Sequence, residues 1–104
     1  MAGSDERVRL DLNGPAFQDV FLALETDELK RVAASLRRLR GLDWSDLHTH
    51  TGFNWEAVHH LKAPNGATVY SLRLGRTCRA LAFRERDFLR FLSLHPDHDS
   101  ACER

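Results

Sequence analysis

VYSLRLGRTCRALAFR, residues 69–84, is the stretch that decides the fold. Its second half alternates larger with small side chains, which is the two-residue period of a β-strand. The larger set is Arg79, Leu81 and Phe83, and the small set is Cys78, Ala80 and Ala82. Gly75-Arg76 suits a tight turn after a first strand over Val69–Leu74. The stretch therefore predicts a β-hairpin.

The segments on either side extend this hairpin into a larger sheet. Glu85-Arg86-Asp87 predicts another turn, and Phe88–Leu94 is an apolar run of the kind found in central strands. On the other side, Phe53–Leu61 also has strand character, and Pro64-Asn65-Gly66 predicts the turn that follows it. We expect a meander of three or four strands.

The N-terminal half predicts a strand and two helices. Val8–Leu12 alternates apolar and polar residues, as a half-buried strand does. Pro15 suits the first turn of a helix, and Thr26 is a candidate N-cap for a second helix that ends at Gly41. The apolar stripes of the two helices are Phe17, Val20, Phe21 and Leu24, and then Leu29, Val32, Leu36 and Leu39. Leu42–Thr51 has no clean period and predicts a connecting segment with room for one helical turn after Asp43.

These elements predict an α+β fold with two N-terminal antiparallel helices packed on one face of a twisted, mainly antiparallel sheet of four or five strands. We expect one domain over residues 1–104, with flexible ends at 1–7 and 100–104. No run of 18 apolar residues and no signal-like segment is present, so a soluble cytoplasmic protein is expected. The two cysteines, Cys78 and Cys102, lack the spacing of a disulfide framework or a metal motif.

Charge is balanced overall but unevenly distributed. The chain has 15 basic and 15 acidic residues, so its net charge gives no general attraction to nucleic acid. The segment between Tyr70 and Phe91, however, contains six arginines and only two acidic residues. This part of the chain therefore has a local surplus of four positive charges.

The tract from Trp55 to Ala101 resembles the RelE/ParE superfamily of small bacterial toxins. It contains WEAVHHLK, a glycine turn, VYSLRL, a short turn, CRALAF and LSLHPDHD. Members of the family commonly have Tyr-Ser-Leu-Arg, a turn and Tyr-Arg-Ala at these places, and the matching residues here are Tyr70, Ser71, Arg73 and Arg79. The resemblance implies a toxin that is held inactive by a cognate antitoxin. In the RelE-like branch it implies ribosome-dependent cleavage of mRNA without a cofactor, and in the ParE-like branch inhibition of DNA gyrase.

Metal-free RNA cleavage needs a base for the attacking 2′-OH, an acid for the leaving oxygen and fixed cations against the developing charge. Arg79 is the first candidate cation, because it lies on a predicted central strand, where a solvated charge is not expected, and matches the family's catalytic arginine. A structural ion pair with Glu56 or Asp97 is the alternative. Arg73 could hold a second phosphate.

The histidines provide the candidate acid and base. His95 or His98 matches the place where the family often has its terminal acid, and His59 or His60 lies near where relatives have a base. In a regular strand only one of His59 and His60 can face the catalytic side. The other expected substrate-binding residues are Lys62, Arg76, Tyr70 and Trp55, of which the two aromatic residues could stack on bases or could simply be core.

Three other interpretations remain open. His95-x-x-His98 with neighbouring aspartates could bind a metal, although its position at a strand end makes no metal the better prediction. Cys78 as a nucleophile is disfavoured, because a cysteine within a strand is usually an inert apolar residue. The chain could also bind RNA without cleaving it, or act only as an interaction domain whose edge strand, Val8–Leu12, pairs with an antitoxin segment. The oligomeric state is not specified by the sequence.

Overall fold

The computed structural model describes residues 6–96 and contains five strands, three α-helices and one 3-10 turn. The expected flexible ends are 1–7 and 100–104, of which residues 1–5 and 100–104 lie outside the described residues, as do Asp97, His98 and Cys102. The elements are β1 (Arg9–Asp11), α1 (Pro15–Phe21), α2 (Thr26–Arg40), α3 (Trp44–Thr49), a 3-10 turn (Thr51–Phe53), β2 (Glu56–Lys62), β3 (Thr68–Arg73), β4 (Cys78–Glu85) and β5 (Phe88–Pro96).

The strands form one mixed sheet in the order β1-β5-β4-β3-β2. β2 to β5 form the predicted antiparallel meander. β1 pairs in parallel with β5, so the sheet is not antiparallel throughout. The prediction of an α+β fold with a sheet of four or five strands is confirmed in part, since the sheet has five strands and one of them is parallel. β5 lies between β1 and β4, as a central strand should.

The two predicted helices begin close to where their sequence signals lie. Gly14 is the N-cap of α1 and Pro15 occupies its first turn. α2 begins one residue earlier than expected, because Glu25 and not Thr26 is its N-cap, and it ends at Gly41 as predicted. Phe17 of α1 is fully buried, and its ring lies 5.1 Å from that of Phe91 on β5. Both helices contribute to one core with the sheet.

The segment after α2 is more ordered than its sequence predicts. α3 spans six residues, and Asp43 and Asp46 form a reciprocal capping box at its start. Only Trp44 and Leu47 of this helix are buried, which is too few positions to produce a visible helical period. The Trp44 indole Nε1 donates to the backbone carbonyl of Asp87 at 3.0 Å and so attaches α3 to the β4–β5 turn.

The alternation of β4 separates the two faces of the sheet. Cys78, Ala80 and Ala82 are buried in the core beneath the helices. The opposite face, which we call the open face, is not covered by any helix within residues 6–96. It carries Arg79 and Leu81, and at one end a small apolar cluster around Phe83. None of the helices within residues 6–96 is long and apolar enough to cross a membrane.

Glu28 joins α2 to the β3–β4 turn. Its Oε2 accepts hydrogen bonds from the Thr77 backbone N–H at 2.8 Å and from the Thr77 hydroxyl at 2.9 Å. Burial alone would raise the pKa of this carboxyl, but hydrogen bonds from Thr77, Cys78 and Arg76 together outweigh burial, and the pKa is lowered. The folded protein therefore favours the carboxylate. A Cβ at Gly75 would lie 2.6 Å from Oε2, so a larger residue there would require the Glu28 carboxylate to move.

We predict that Glu28→Gln lowers the free energy of unfolding by about 1–2 kcal/mol at pH 7, because an acceptor of two hydrogen bonds is replaced in a mostly buried site. Since the folded pKa of Glu28 is depressed, its contribution is present above its ordinary pKa and is lost as the pH falls through the folded pKa. Urea unfolding at several pH values measures both effects. Glu25→Gln removes an equal charge near the same helix end and should have little effect. This account is contradicted if the difference in free energy of unfolding between wild type and Glu28→Gln stays the same at acid pH.

Cys78 is buried beside the same carboxylate. Burial and, secondarily, the proximity of Glu28 raise the pKa of its thiol to about 12. The thiolate, which is the reactive form, is therefore scarce at neutral pH. This disfavours Cys78 as a nucleophile, as the sequence also indicated.

We predict that Cys78 does not react with a thiol reagent such as DTNB at pH 8 in the native protein and reacts fully in urea. A Cys102→Ser variant leaves Cys78 as the only thiol of the chain, so the absorbance reports on it alone. Immediate labelling of the native variant would show that the thiol is accessible and would overturn the assignment.

Candidate functional site

Arg73, Arg79 and His95 lie side by side in one row across three strands of the open face. Arg79 pairs with Arg73 on β3 and with His95 on β5. Residues directly opposite in antiparallel strands point to the same face, with Cβ atoms roughly 5 Å apart. All three side chains are exposed. The row therefore brings two guanidinium groups and one imidazole together on a surface that ligands can reach.

The register that places His95 in this row depends on an irregularity in β5. Leu81 pairs with Ser93 and Ala82 pairs with Phe91, so Leu92 is an extra residue between them. Such a bulge reverses the inward and outward phase of the strand. As a result Phe91 and Leu94 are both buried while His95 faces outward with Arg79. A strictly alternating strand would place His95 on the same face as Phe91.

Arg79 lies on an interior strand, as predicted, but its side chain is solvated. The expectation of a charge out of contact with water was wrong, because the helices cover only one face of the sheet. Arg90 on the same face is engaged by two carboxylates, Asp11 and Glu85, the latter at 2.5 Å. Arg79 has no carboxylate within ion-pair distance among residues 6–96, and Glu56 does not pair with it. Asp97, the other predicted partner, lies outside the described residues.

Two guanidinium groups opposite each other repel, and an anion between them would relieve that repulsion. Arg73 Nη1 donates to the backbone carbonyl of Arg76 at 3.1 Å, which fixes this arginine at the β3–β4 turn. In the neighbouring row of the open face, Glu56, Ser71, Leu81 and Ser93 lie across the four strands. Glu56 is exposed and contributes a carboxylate one row from the arginines. The sequence indicates Glu56 only as an ion-pair partner of Arg79, because its place on this face depends on the β2–β3 register.

The imidazole of His95 is held by a neighbour on its own strand. Its Nε2 lies 2.8 Å from the Ser93 hydroxyl oxygen, which is within hydrogen-bond distance. Such a contact orients the ring and favours one tautomer. His98, the second candidate acid, lies outside the described residues.

His59 and His60 lie toward the other end of the sheet. Val58 is already two rows along from Arg73, which corresponds to roughly 13 Å along the strands, and both histidines lie beyond it. The β2–β3 pairing is also irregular between Val58 and Lys62, so strict alternation does not decide which histidine faces which side. Both are exposed. The structure does not bring them together with Arg79.

The aromatic candidates lie on the helix side of the sheet. Trp55 stacks on Tyr70 with ring centroids 4.2 Å apart, and its ring meets Trp44 edge-on at 6.4 Å. Both are half-buried beside the core and face away from the Arg79 row. Lys62 ends β2 on the far side of the irregular segment, whereas Arg76 lies in the β3–β4 turn close to Arg73. Of the predicted binding residues, only Arg73 and Arg76 are near Arg79.

Metal ligation has no support within the described part of the chain. Among residues 6–96, no group of three or more His, Cys, Asp or Glu side chains is arranged to hold a metal ion. His98 and Asp97, which the sequence groups with His95, lie outside that range.

Comparison with known proteins identifies the fold. No family model and no curated protein matches the chain. Among solved structures, a chain in the crystal structure of the archaeal RelE–RelB complex from Pyrococcus horikoshii OT3 matches with a TM-score of 0.58 and 15% sequence identity. The match covers 91% of this chain and 98% of the other. At this identity the comparison establishes the architecture. The chain therefore has a RelE-like fold.

Proposed function

We propose that this protein is the toxin of a toxin–antitoxin pair and a metal-independent endoribonuclease that acts on translated mRNA in the cytoplasm. The observation that supports the proposal is the row of Arg73, Arg79 and His95 on the open face. When a 2′-OH attacks a phosphodiester, two cations can stabilise the charge that develops on the phosphate, and an imidazole can transfer a proton. The RelE-like fold agrees with the same function.

Arg79 would hold the scissile phosphate. It lies at the centre of the row, it is exposed, and no acid competes for it among residues 6–96. Its planar guanidinium can donate two parallel hydrogen bonds to phosphate oxygens and stabilise the charge that grows on them. Arg73, directly opposite, adds a second positive charge to the same phosphate or to its neighbour.

His95 would donate the proton to the leaving 5′-oxygen. The contact with Ser93 fixes its ring on the Arg79 side of the strand. Glu56 is the better candidate base, because it shares the open face with the row, whereas His59 and His60 lie toward the far end of the sheet. A carboxylate can accept the 2′-OH proton while the arginines hold the phosphate.

A cognate antitoxin is the proposed partner. β1 is a three-residue edge strand, so its outer side has backbone groups available for an added strand. If the protein instead acts as a gyrase inhibitor or as an interaction domain without catalysis, the same edge could still carry the antitoxin. The row of Arg73, Arg79 and His95 favours the nuclease.

We predict that Arg79→Ala lowers RNA cleavage about 100-fold or more and abolishes growth inhibition on induction, because a preorganised donor to the developing charge is lost. Northern blots or 5′-end mapping of induced cells measure cleavage, and circular dichroism checks folding. Arg37→Ala removes an equal charge from the exposed side of α2 and should remain toxic. Intact transcripts together with DNA-damage signalling in wild-type cells would favour gyrase as the target and would refute the nuclease.

We further predict that His95→Ala and Glu56→Gln each reduce the rate of the cleavage step about 100-fold, with a smaller change in RNA affinity, because each removes a proton-transfer group. Single-turnover cleavage and binding of a 2′-deoxy substrate analogue separate the two effects. His59→Ala and His60→Ala provide the comparison. If Glu56→Gln cleaves RNA at the wild-type rate while His59→Ala or His60→Ala does not, the base lies at the other end of the sheet.

A further inference from the structure

A second cationic site lies beside the row, where α2 meets the β3–β4 turn. It is a cavity of about 300 Å³, large enough for a small ligand group. Four arginines line it, two from α2 and two from β3 and the turn. They are Arg31, Arg38, Arg73 and Arg76. Four positive side chains therefore surround one small space, although the chain as a whole has no net charge.

The cavity is poorly supplied with negative charge. Glu28 forms an ion pair with Arg31 at 3.4 Å, but its other oxygen is occupied by Thr77. No carboxylate lies within ion-pair distance of the other three arginines among residues 6–96. Like charges gathered without counter-ions repel one another. An anionic ligand in the cavity would therefore be attracted by all four groups.

The arginines are partly preorganised by neutral contacts. The Arg38 guanidinium lies over the Phe53 ring, 5.4 Å from its centroid, and its Nη2 donates to the Ser35 hydroxyl at 3.4 Å. Ser35 in turn donates to the Leu74 carbonyl at 2.5 Å. Arg73 is held by the Arg76 carbonyl. Side chains that are positioned before binding lose less entropy when a ligand arrives.

Small residues keep the cavity open. Ala34 lies between Arg31 and Arg38 on one face of α2, at spacings of three and four residues, and it also lines the cavity. Gly75 lines it from the turn, where a Cβ would collide with Glu28. Long side chains therefore surround a space that their neighbours do not fill.

We propose that this cavity binds a backbone phosphate of RNA next to the one held by the Arg79 row. Arg73 belongs to both sites, so a strand crossing the open face at Arg79 can continue around the β3–β4 turn into the cavity. The inference rests on the proposed nuclease function for the identity of the strand. Guanidinium forks match phosphate oxygens, and their planes can also stack on unpaired bases. This continuity with the row favours RNA over an acidic protein segment.

The test measures binding of a short, 2′-O-methylated oligoribonucleotide, which cannot be cleaved, by fluorescence anisotropy at several salt concentrations. We expect Arg31→Ala/Arg38→Ala to weaken binding about tenfold and to reduce the salt slope by roughly 0.7, as loss of one single-strand phosphate contact should. Arg37→Ala/Arg40→Ala on the same helix is the matched control and should bind like wild type. Ala34→Glu places a carboxylate between Arg31 and Arg38 and removes neither arginine. It should also weaken binding, and it provides the test if the double variant does not fold.

The outcomes separate this inference from the nuclease proposal. If wild type binds the probe through the cavity but cleaves no RNA, the cavity assignment holds and the nuclease proposal fails. If cleavage depends on Arg79 while both cavity variants bind like wild type, the cavity assignment is wrong. If a poly-glutamate peptide binds in a cavity-dependent manner and the oligonucleotide does not, the cavity is a protein-docking site and the RNA assignment is equally wrong.

Discussion

The register between β4 and β5 is the constraint on which the candidate site depends. One extra residue, Leu92, lets β5 bury Phe91 and Leu94 on the helix side and still present His95 opposite Arg79. Without that bulge, burial of Phe91 would draw the imidazole inward, because strand residues alternate between faces. The bulge at Leu92 therefore allows both the burial of Phe91 and Leu94 in the core and the exposure of the His95 imidazole beside Arg79.

One-sided coverage of the sheet then determines what the outward residues can do. The helices cover Cys78, Ala80 and Ala82, whereas on the opposite side of β4 Arg79 is exposed to solvent. Arg90 shows that carboxylates can engage an arginine on this face, since Asp11 and Glu85 both do so. Arg79 has no such partner among residues 6–96, so its charge is available to a ligand. A solvated cation beside another cation binds phosphate more readily than it stabilises a fold.

The hydrogen bonds between Glu28 and Thr77 hold the row of Arg73, Arg79 and His95 and the cavity in fixed positions relative to each other. They anchor the β3–β4 turn to α2, and this turn carries Arg76 and ends the strand that carries Arg73. The protein is neutral as a whole, yet five arginines lie at this end of the sheet: Arg31, Arg38, Arg73, Arg76 and Arg79. Local density of charge, more than net charge, would then attract a polyanion, and the attraction should weaken with salt.

Periodicity and turn residues in the sequence determined the elements: the alternation of residues 77–84, Pro15 and Gly41 at helix ends, and the strand order of the meander all follow from local sterics and burial. Arg73 and Arg79 could be singled out for the same reason, because their strands and turn are local in sequence. Tertiary structure alone decided the rest. The parallel pairing of β1, the bulge at Leu92, the distance of His59 and His60 from Arg79 and the meeting of Arg31 and Arg38 with the β3–β4 turn arise from contacts between residues far apart in the chain. Such contacts satisfy packing and hydrogen bonding across elements, and no local pattern encodes them.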